Sequence, residues 1–348
     1  MKTVRAWAAA EADGHFAPIE IRRRLPGTTD VVVQIDFCGV CHSDVHTARG
    51  EWDGVHHPVV PGHEIVGRVA ATGEGVTRFR VGDRVAVGTL IDSCGQCPAC
   101  LAGEENYCPD QVGTFDFPNP DGSTEFTCGG YSREIVVREK FVFTLPGSLD
   151  PAAAAPILCA GATVYSPMRH WRVGPGTRLG VVGFGGLGNM AVRIGTALGA
   201  EVTVYSRSME KRGAALAAGA DRFVVSSDTT RMSALAGSQE LILSTVPRSH
   251  DLNPYLDLLE RDGTYVVLGA MEPITTPILG STLAVRRINI SGSLICGLPE
   301  TQELLELCAR HGIVPDVEVI PVEQVNAAHD HVASGDPAFR YVLDLSTI

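Results

Sequence analysis

The chain has 348 residues, 45% of them hydrophobic and 20% charged, which suits two domains with sizeable cores and excludes a disordered chain. Acids outnumber bases, 40 Asp+Glu against 28 Lys+Arg, and a net charge of −12 argues against a nucleic-acid partner, though a local basic cluster can still hold a small anion. The apolar N-terminal stretch ends at Glu11, too soon for a secretory signal, so a cytoplasmic protein is expected. Its ten cysteines then read as metal ligands or buried thiols, not disulfides.

In chain order, V-V-V-Q-I-D-F at 31–37, E-I-V-G-R-V-A at 64–70 and R-V-A-V at 84–87 are β-branched runs between Gly and Asp turn signals. Residues 1–150 are therefore expected to be β-rich, with an irregular surface loop from about 110 to 130. The pattern changes near Pro151. Strands at 178–182, 201–205, 222–225, 240–246 and 263–269 alternate with helices, one running to about Leu198 and others at 209–218 and 252–261. This α/β alternation predicts a doubly wound parallel sheet. The apolar stretch 179–200 is long enough for a bilayer, but its seven glycines, Asn189 and Arg193 fit a phosphate loop better, so no membrane partner is expected. A helix at 299–311 and short elements end the chain, and the tail alone does not say which domain it joins.

G-F-G-G-L-G at 183–188 has the form G-x-G-x-x-G between a predicted strand and a predicted helix. Gly183 permits the turn, Gly185 lets backbone approach a pyrophosphate, and Gly188 lets helix and strand pack; Gly186 and Leu187 open the helix whose N–H groups face the phosphates. At the end of the next strand, where NAD sites carry an acid, stand Ser206, Arg207 and Ser208, with Lys211 a turn away. Hydroxyls and cations there favour the 2′-phosphate of NADP(H).

Cys94, Cys97, Cys100 and Cys108 run C-x2-C-x2-C-x7-C, the spacing of a closed structural zinc site. The rival is an iron–sulfur cluster, since Cys108-Pro109 follows a C-x2-C-x2-C run. A dispersed set, Cys41, His63 and Cys159, has the composition of a catalytic zinc site with an open position. Taken singly, each cysteine also reads as a small buried hydrophobe and the histidine as a surface residue. Cys38, Cys128, Cys296 and Cys308 fall outside both sets and read as buried or incidental thiols.

Together, C-G-V-C-H-S-D-V-H at 38–46, P-G-H-E at 61–64, C-G-Q-C-P-A-C with Cys108, L-C-A-G at 158–161, the glycine fingerprint and S-R-S with Lys211 carry a resemblance. The chain resembles the zinc-containing medium-chain alcohol dehydrogenases, and within them the cinnamyl-alcohol-dehydrogenase-like branch with its bacterial NADP-dependent aldehyde reductases. That resemblance implies a GroES-like β-rich catalytic domain from 1–155 and 294–348, and an NADP-binding Rossmann domain from 156–293. It implies two zinc ions per chain, with Cys41, His63 and Cys159 on the catalytic one, Glu64 nearby and Asp44 fixing His63. Ser43 and His46 would pass the alcohol proton, and Thr163 and Arg340 would join the cofactor set. The implied activity is hydride transfer between NADP(H) and a primary alcohol or aldehyde, by a homodimer, with tetramers elsewhere in the superfamily. Gly113 stands where the plant lignin enzymes carry a pocket Trp, which weakens a lignin-specific role; Trp52, Gly113 and Ile295 are the pocket candidates. Two other readings remain at this point, an NADP-binding protein with an iron–sulfur electron-transfer module and a relative that binds nucleotide without chemistry.

Overall fold

The structure is a computed structural model describing residues 1–269, 272–334 and 339–348. The chain divides into two compact units, Met1–Cys159 with Cys296–Ile348, and Ala160–Ile295.

The first unit begins with an antiparallel hairpin, Lys2–Ala9 against Phe16–Arg23. Val4, Ala6 and Ala8 alternate inward, a period of two that the sequence reading passed over because alanine is a weak strand signal. The main sheet runs Val317–Pro321, Arg340–Asp344, Asp30–Gly39, Ile65–Thr72, Arg84–Val87 and Phe143–Thr144, with Glu134–Arg138 also paired to Asp30–Gly39. The C-terminal tail therefore belongs to this unit, Val342 lying opposite Gly39 in antiparallel register. The V-V-V run of the central strand is buried on both faces, as a strand covered from both sides requires. The expected surface loop near 110–130 is only partly at the surface: Gly113, Thr114, Thr127, Gly129 and Gly130 are buried.

The second unit is a six-stranded, wholly parallel sheet in the order Arg222–Val225, Glu201–Ser206, Arg178–Val182, Gln239–Ser244, Leu259–Val267, Asn289–Gly292. The expected helix 252–261 is only the turn Asn253–Leu256, and the next strand already starts at Leu259. Its leucines, Leu256, Leu258 and Leu259, all enter the core with Ile242 and Tyr265, and so short an apolar run has no period to reveal. The helix Gly280–Arg286 and the edge strand Asn289–Gly292 were not anticipated.

Candidate metal centres and dinucleotide loop

Cys97 caps the short helix Pro98–Ala102, its sulfur accepting the Cys100 N–H at 3.5 Å, and Cys94 accepts the Cys97 N–H at 3.4 Å. Cys108 returns after the turn Glu105–Tyr107. The Cys94 sulfur lies 3.9 Å from Cys100 and 3.5 Å from Cys108, and all four sulfurs fall within 4.8 Å of one another. Four zinc–sulfur bonds of about 2.3 Å in a tetrahedron set the sulfurs about 3.8 Å apart, so the cluster fits one closed metal site. The Gln96 and Cys97 N–H groups bring the Cys94 thiol down to about 7, toward the thiolate a metal needs. Sulfurs this convergent leave space for one ion and none for several irons and sulfides between them, which argues against a multi-iron cluster.

The dispersed set also converges. Cys41 caps the helix His42–Ala48, and its N–H donates to Asp44 Oδ2 at 2.8 Å. Asp44 Oδ1 accepts the Gly62 N–H at 3.0 Å and sits 3.1 Å from His63 Nδ1. With Nδ1 donating to the carboxylate, Nε2 is left as the ligand atom. Cys159 follows the turn Ala155–Leu158 and brings its sulfur within 3.7 Å of Cys41. Glu64 completes four fully buried residues whose ligand atoms lie within 4.8 Å.

The electrostatics of this buried group are tight. Burial alone would lower the His63 pKa, but the Asp44 charge and hydrogen bond overcome it and raise it well above the usual value. The hydrogen bond between the two sulfurs holds Cys41 well below the ordinary thiol range and pushes Cys159 up, so one proton serves both. Burial lifts Glu64 to about 7, against the Arg340 charge. Arg340 Nη2 donates to Glu64 Oε1 at 2.7 Å, while Oε2 has no hydrogen-bond partner among the described residues. A Cβ on Gly39 would come within 1.9 Å of Oε2, so only glycine leaves room for it. A buried carboxylate oxygen without a donor, beside two sulfurs and an imidazole, fits a cation. Arg340, expected at the cofactor phosphates, is held here on Glu64 because its strand pairs with the one leading to Cys41.

Ser43 Oγ lies 3.8 Å from the Cys41 sulfur. His46, one turn further, holds Glu51 at 2.5 Å through Nδ1 and stacks on Trp52 at 5.4 Å. Gly113 is covered by the Phe117 ring, which a Cβ there would meet at 2.4 Å. The aromatic beside His63 is instead Phe115, its ring 5.6 Å away. Ile295 is half-buried at the end of the second unit.

Beneath His63 lies a platform the sequence reading missed. Val60, Pro61 and Gly62 accept the N–H groups of Gly129, Tyr131 and Gly130 at 2.6, 3.0 and 2.8 Å. A Cβ on Gly129 would lie 2.4 Å from Pro61 O, and one on Gly130 2.5 Å from Ile65, so the doublet lets two backbones touch. Arg23 donates to Cys128 O, Gly129 O and Glu134 O and clamps the turn from below. The signal was present as C-G-G-Y-S at 128–132.

In the second unit, Gly183 takes φ +88 at the end of its strand, and the helix Gly186–Ala197 starts with no side chain capping its N–H groups. A Cβ on Gly188 would lie 2.3 Å from Gly183 O, the close packing that the third glycine permits. Ser206 ends its strand buried, Arg207 is exposed, and Ser208 caps the turn Met209–Lys211. Lys211 Nζ donates to Phe184 O at 2.9 Å, so the basic end of the second strand meets the glycine loop. Thr163 is half-buried in the first turn of the helix Ala160–His170.

Two family models match the chain, the alcohol dehydrogenase GroES-like domain over residues 27–147 and the zinc-binding dehydrogenase over 186–310. The aldehyde reductase YahK of Escherichia coli is 46% identical over 99% of both chains. Among solved structures, a cinnamyl alcohol dehydrogenase from Sorghum bicolor superposes with a TM-score of 0.94 at 41% identity, over 99% of this chain and 98% of that one. The cinnamyl alcohol dehydrogenase of Helicobacter pylori complexed with NADP(H) gives 0.90 at 36%, with the same coverage. On that likeness over its full length, the chain belongs to the zinc-containing alcohol dehydrogenases, in their cinnamyl-alcohol-dehydrogenase-like branch.

Proposed function

We propose that the chain is an NADP(H)-dependent alcohol dehydrogenase of class EC 1.1.1.2 that interconverts primary alcohols and aldehydes. The observation that carries this reading is the buried set Cys41, His63, Glu64 and Cys159, whose donors converge with one carboxylate oxygen unsatisfied. Cys41, His63 and Cys159 would hold a catalytic zinc, and Cys94, Cys97, Cys100 and Cys108 a second, structural one. When bound, zinc polarises a carbonyl and eases ionisation of an alcohol, while the nicotinamide supplies or accepts hydride.

This chain's own groups do the rest. Asp44 fixes the tautomer and direction of His63, and Arg340 balances the charge of Glu64. The Ser43 hydroxyl, able to donate and accept, passes the alcohol proton toward His46, which Glu51 orients. The helix after Gly185 seats the pyrophosphate, with Thr163 beside it, and Ser206, Arg207, Ser208 and Lys211 take the 2′-phosphate. Trp52 and Phe115 wall the substrate on the side of the first unit. The open sheet edge at Asn289–Gly292, near the exposed Leu279 and Val285, suits a second copy, and the protein is read as a cytoplasmic homodimer.

One experiment tests the whole reading. Purified protein is assayed with aliphatic and aromatic aldehydes, NADPH beside NADH, and its metals are counted. Aldehyde reduction preferring NADPH, with two zinc per chain, is expected. Iron in place of zinc, or no turnover in the zinc-replete protein, refutes it.

A further inference from the structure

Tyr131 and His329 are both buried polar side chains, at 0% and 2% exposure, and neither belongs to the donor sets above. The Tyr131 hydroxyl lies 3.0 Å from His329 Nε2. Burial lowers the His329 pKa to about 4, so its imidazole is neutral and accepts the hydroxyl proton. The pair is enclosed: Phe16 packs edge-on against His329 at 4.6 Å and against Tyr131 at 5.7 Å. The Asn326 side chain, one turn before His329, both accepts from Phe16 N and donates to Phe16 O.

What this pair supports is the residue before the candidate ligand. Gly62 takes φ +102, and a Cβ there would lie 2.7 Å from the Tyr131 ring and 2.8 Å from the Cys38 sulfur. The ring is thus the floor on which Gly62 rests. Gly62 N donates to Asp44 Oδ1, the same oxygen that holds His63 Nδ1. The helix bearing His329, Val325–Ser334, is also tied to the end of the Asp44 helix, through Arg49 and Asp330 at 2.9 Å. A phenylalanine at 131 would fill the same space with no partner required. Keeping a hydroxyl and an imidazole buried is worth its desolvation only where a fixed direction is needed.

We propose that Tyr131, steadied by His329, is a positioning residue that fixes Gly62 and so aims His63 at the metal. The inference rests on the metal reading of His63, and acts through the backbone, since neither side chain touches a ligand atom. Groups of this kind typically change metal affinity or activity ten- to a hundredfold when altered.

The test is zinc release from the holoenzyme to a chromophoric chelator, followed equivalent by equivalent, alongside kcat, KM for NADPH and Tm. Tyr131→Phe should release one equivalent about tenfold faster and lose kcat in step. The equivalent held by the four-cysteine cluster and the KM for NADPH should not change. His329→Leu should behave like Tyr131→Phe, and His329→Gln, whose amide oxygen can still accept the hydroxyl, should recover most of the difference. If Tyr131→Phe does not fold, the His329 pair carries the same comparison. Unchanged release in Tyr131→Phe, or His329→Gln as impaired as His329→Leu, overturns the proposal. Wild-type protein carrying zinc in the four-cysteine cluster alone would instead overturn the metal reading, and this inference with it.

Discussion

The two candidate metal centres are built on opposite plans. Four of the donors lie within residues 94–108 on two short turns, partly exposed, with backbone N–H groups aimed at their sulfurs. The others come from residues 41, 63, 64 and 159, all buried and held by distant neighbours: Asp44 holds Cys41 and His63, Arg340 holds Glu64, and the Cys159 sulfur meets that of Cys41. A local site of the first kind needs only its own loop to form. A dispersed site needs the whole unit folded first, and in return it has charges fixed in a dry interior, where they act most strongly.

The sharpest way to break this contrast is to remove one sulfur from each centre. Cys159→Ser should abolish turnover while leaving Tm and the four-cysteine zinc in place. Cys100→Ser should lower Tm by about 5 °C or more, because metal binding to such a loop is folding free energy. Activity would then decline only as folded protein is lost. Two mutants with the same loss of activity and the same Tm would erase the distinction.

Within the buried centre, Ser43→Ala should cut kcat by about 10² or more with both zinc ions and NADPH still bound. His46→Ala should cost less, and small amine buffers should restore part of it, since His46 is partly open to solvent beside Glu51. Full turnover in zinc-replete Ser43→Ala protein would remove the hydroxyl from the proton path.

This contrast also sets what could be read from the residues. C-x2-C-x2-C-x7-C and G-x-G-x-x-G are contiguous, so spacing alone exposes their chemistry. Strands 178–182 and 222–225 were legible for a similar reason, each being an apolar run ended by turn residues. The trio of Cys41, His63 and Cys159 needed a family resemblance, because nothing local ties residue 41 to residue 159. Arg23 and His329 were invisible, since their partners lie 106 and 198 residues away, and although C-G-G-Y-S marks Gly129 and Tyr131, nothing local ties them to residues 60–62. The Glu64 partner of Arg340 was not legible either, because its strand pairing, not its motif, brings the guanidinium to that carboxylate.

Burial at the platform gives a pH signature of its own. Desolvation lowers the His329 pKa from 6.5 to about 4, with Arg49 adding to the effect and Asp44, Asp330 and Cys41 opposing it. Between those values the unfolded chain takes up a proton that the folded chain refuses, so stability held at neutral pH is lost as pH falls through 6.5 toward 4. The loss amounts to about 2–3 kcal/mol. Urea unfolding at pH 7 and pH 4.5 should therefore show a smaller acid penalty in His329→Gln than in wild type. Equal penalties would mean that His329 is already charged in the folded state.

The smallest effect belongs to the cofactor end, where Arg207 stands exposed after the buried Ser206. Its surroundings differ from both candidate metal centres: solvent screens it, and among the described residues no acid is paired with it. A guanidinium in that position gains from a phosphate through charge-assisted hydrogen bonds, while a ribose hydroxyl offers it little. Lys211 is anchored on Phe184 O and Ser208 on the Glu210 N–H, so both remain in place when Arg207 is removed and limit the damage. Arg207→Ala should raise the KM for NADPH about tenfold and leave the KM for NADH nearly unchanged. The increase should shrink in high salt, where the wild-type contact is itself weakened. An equal rise for both cofactors would place Arg207 in general support of the loop and return the choice between NADP(H) and NAD(H) to Ser206, Ser208 and Lys211.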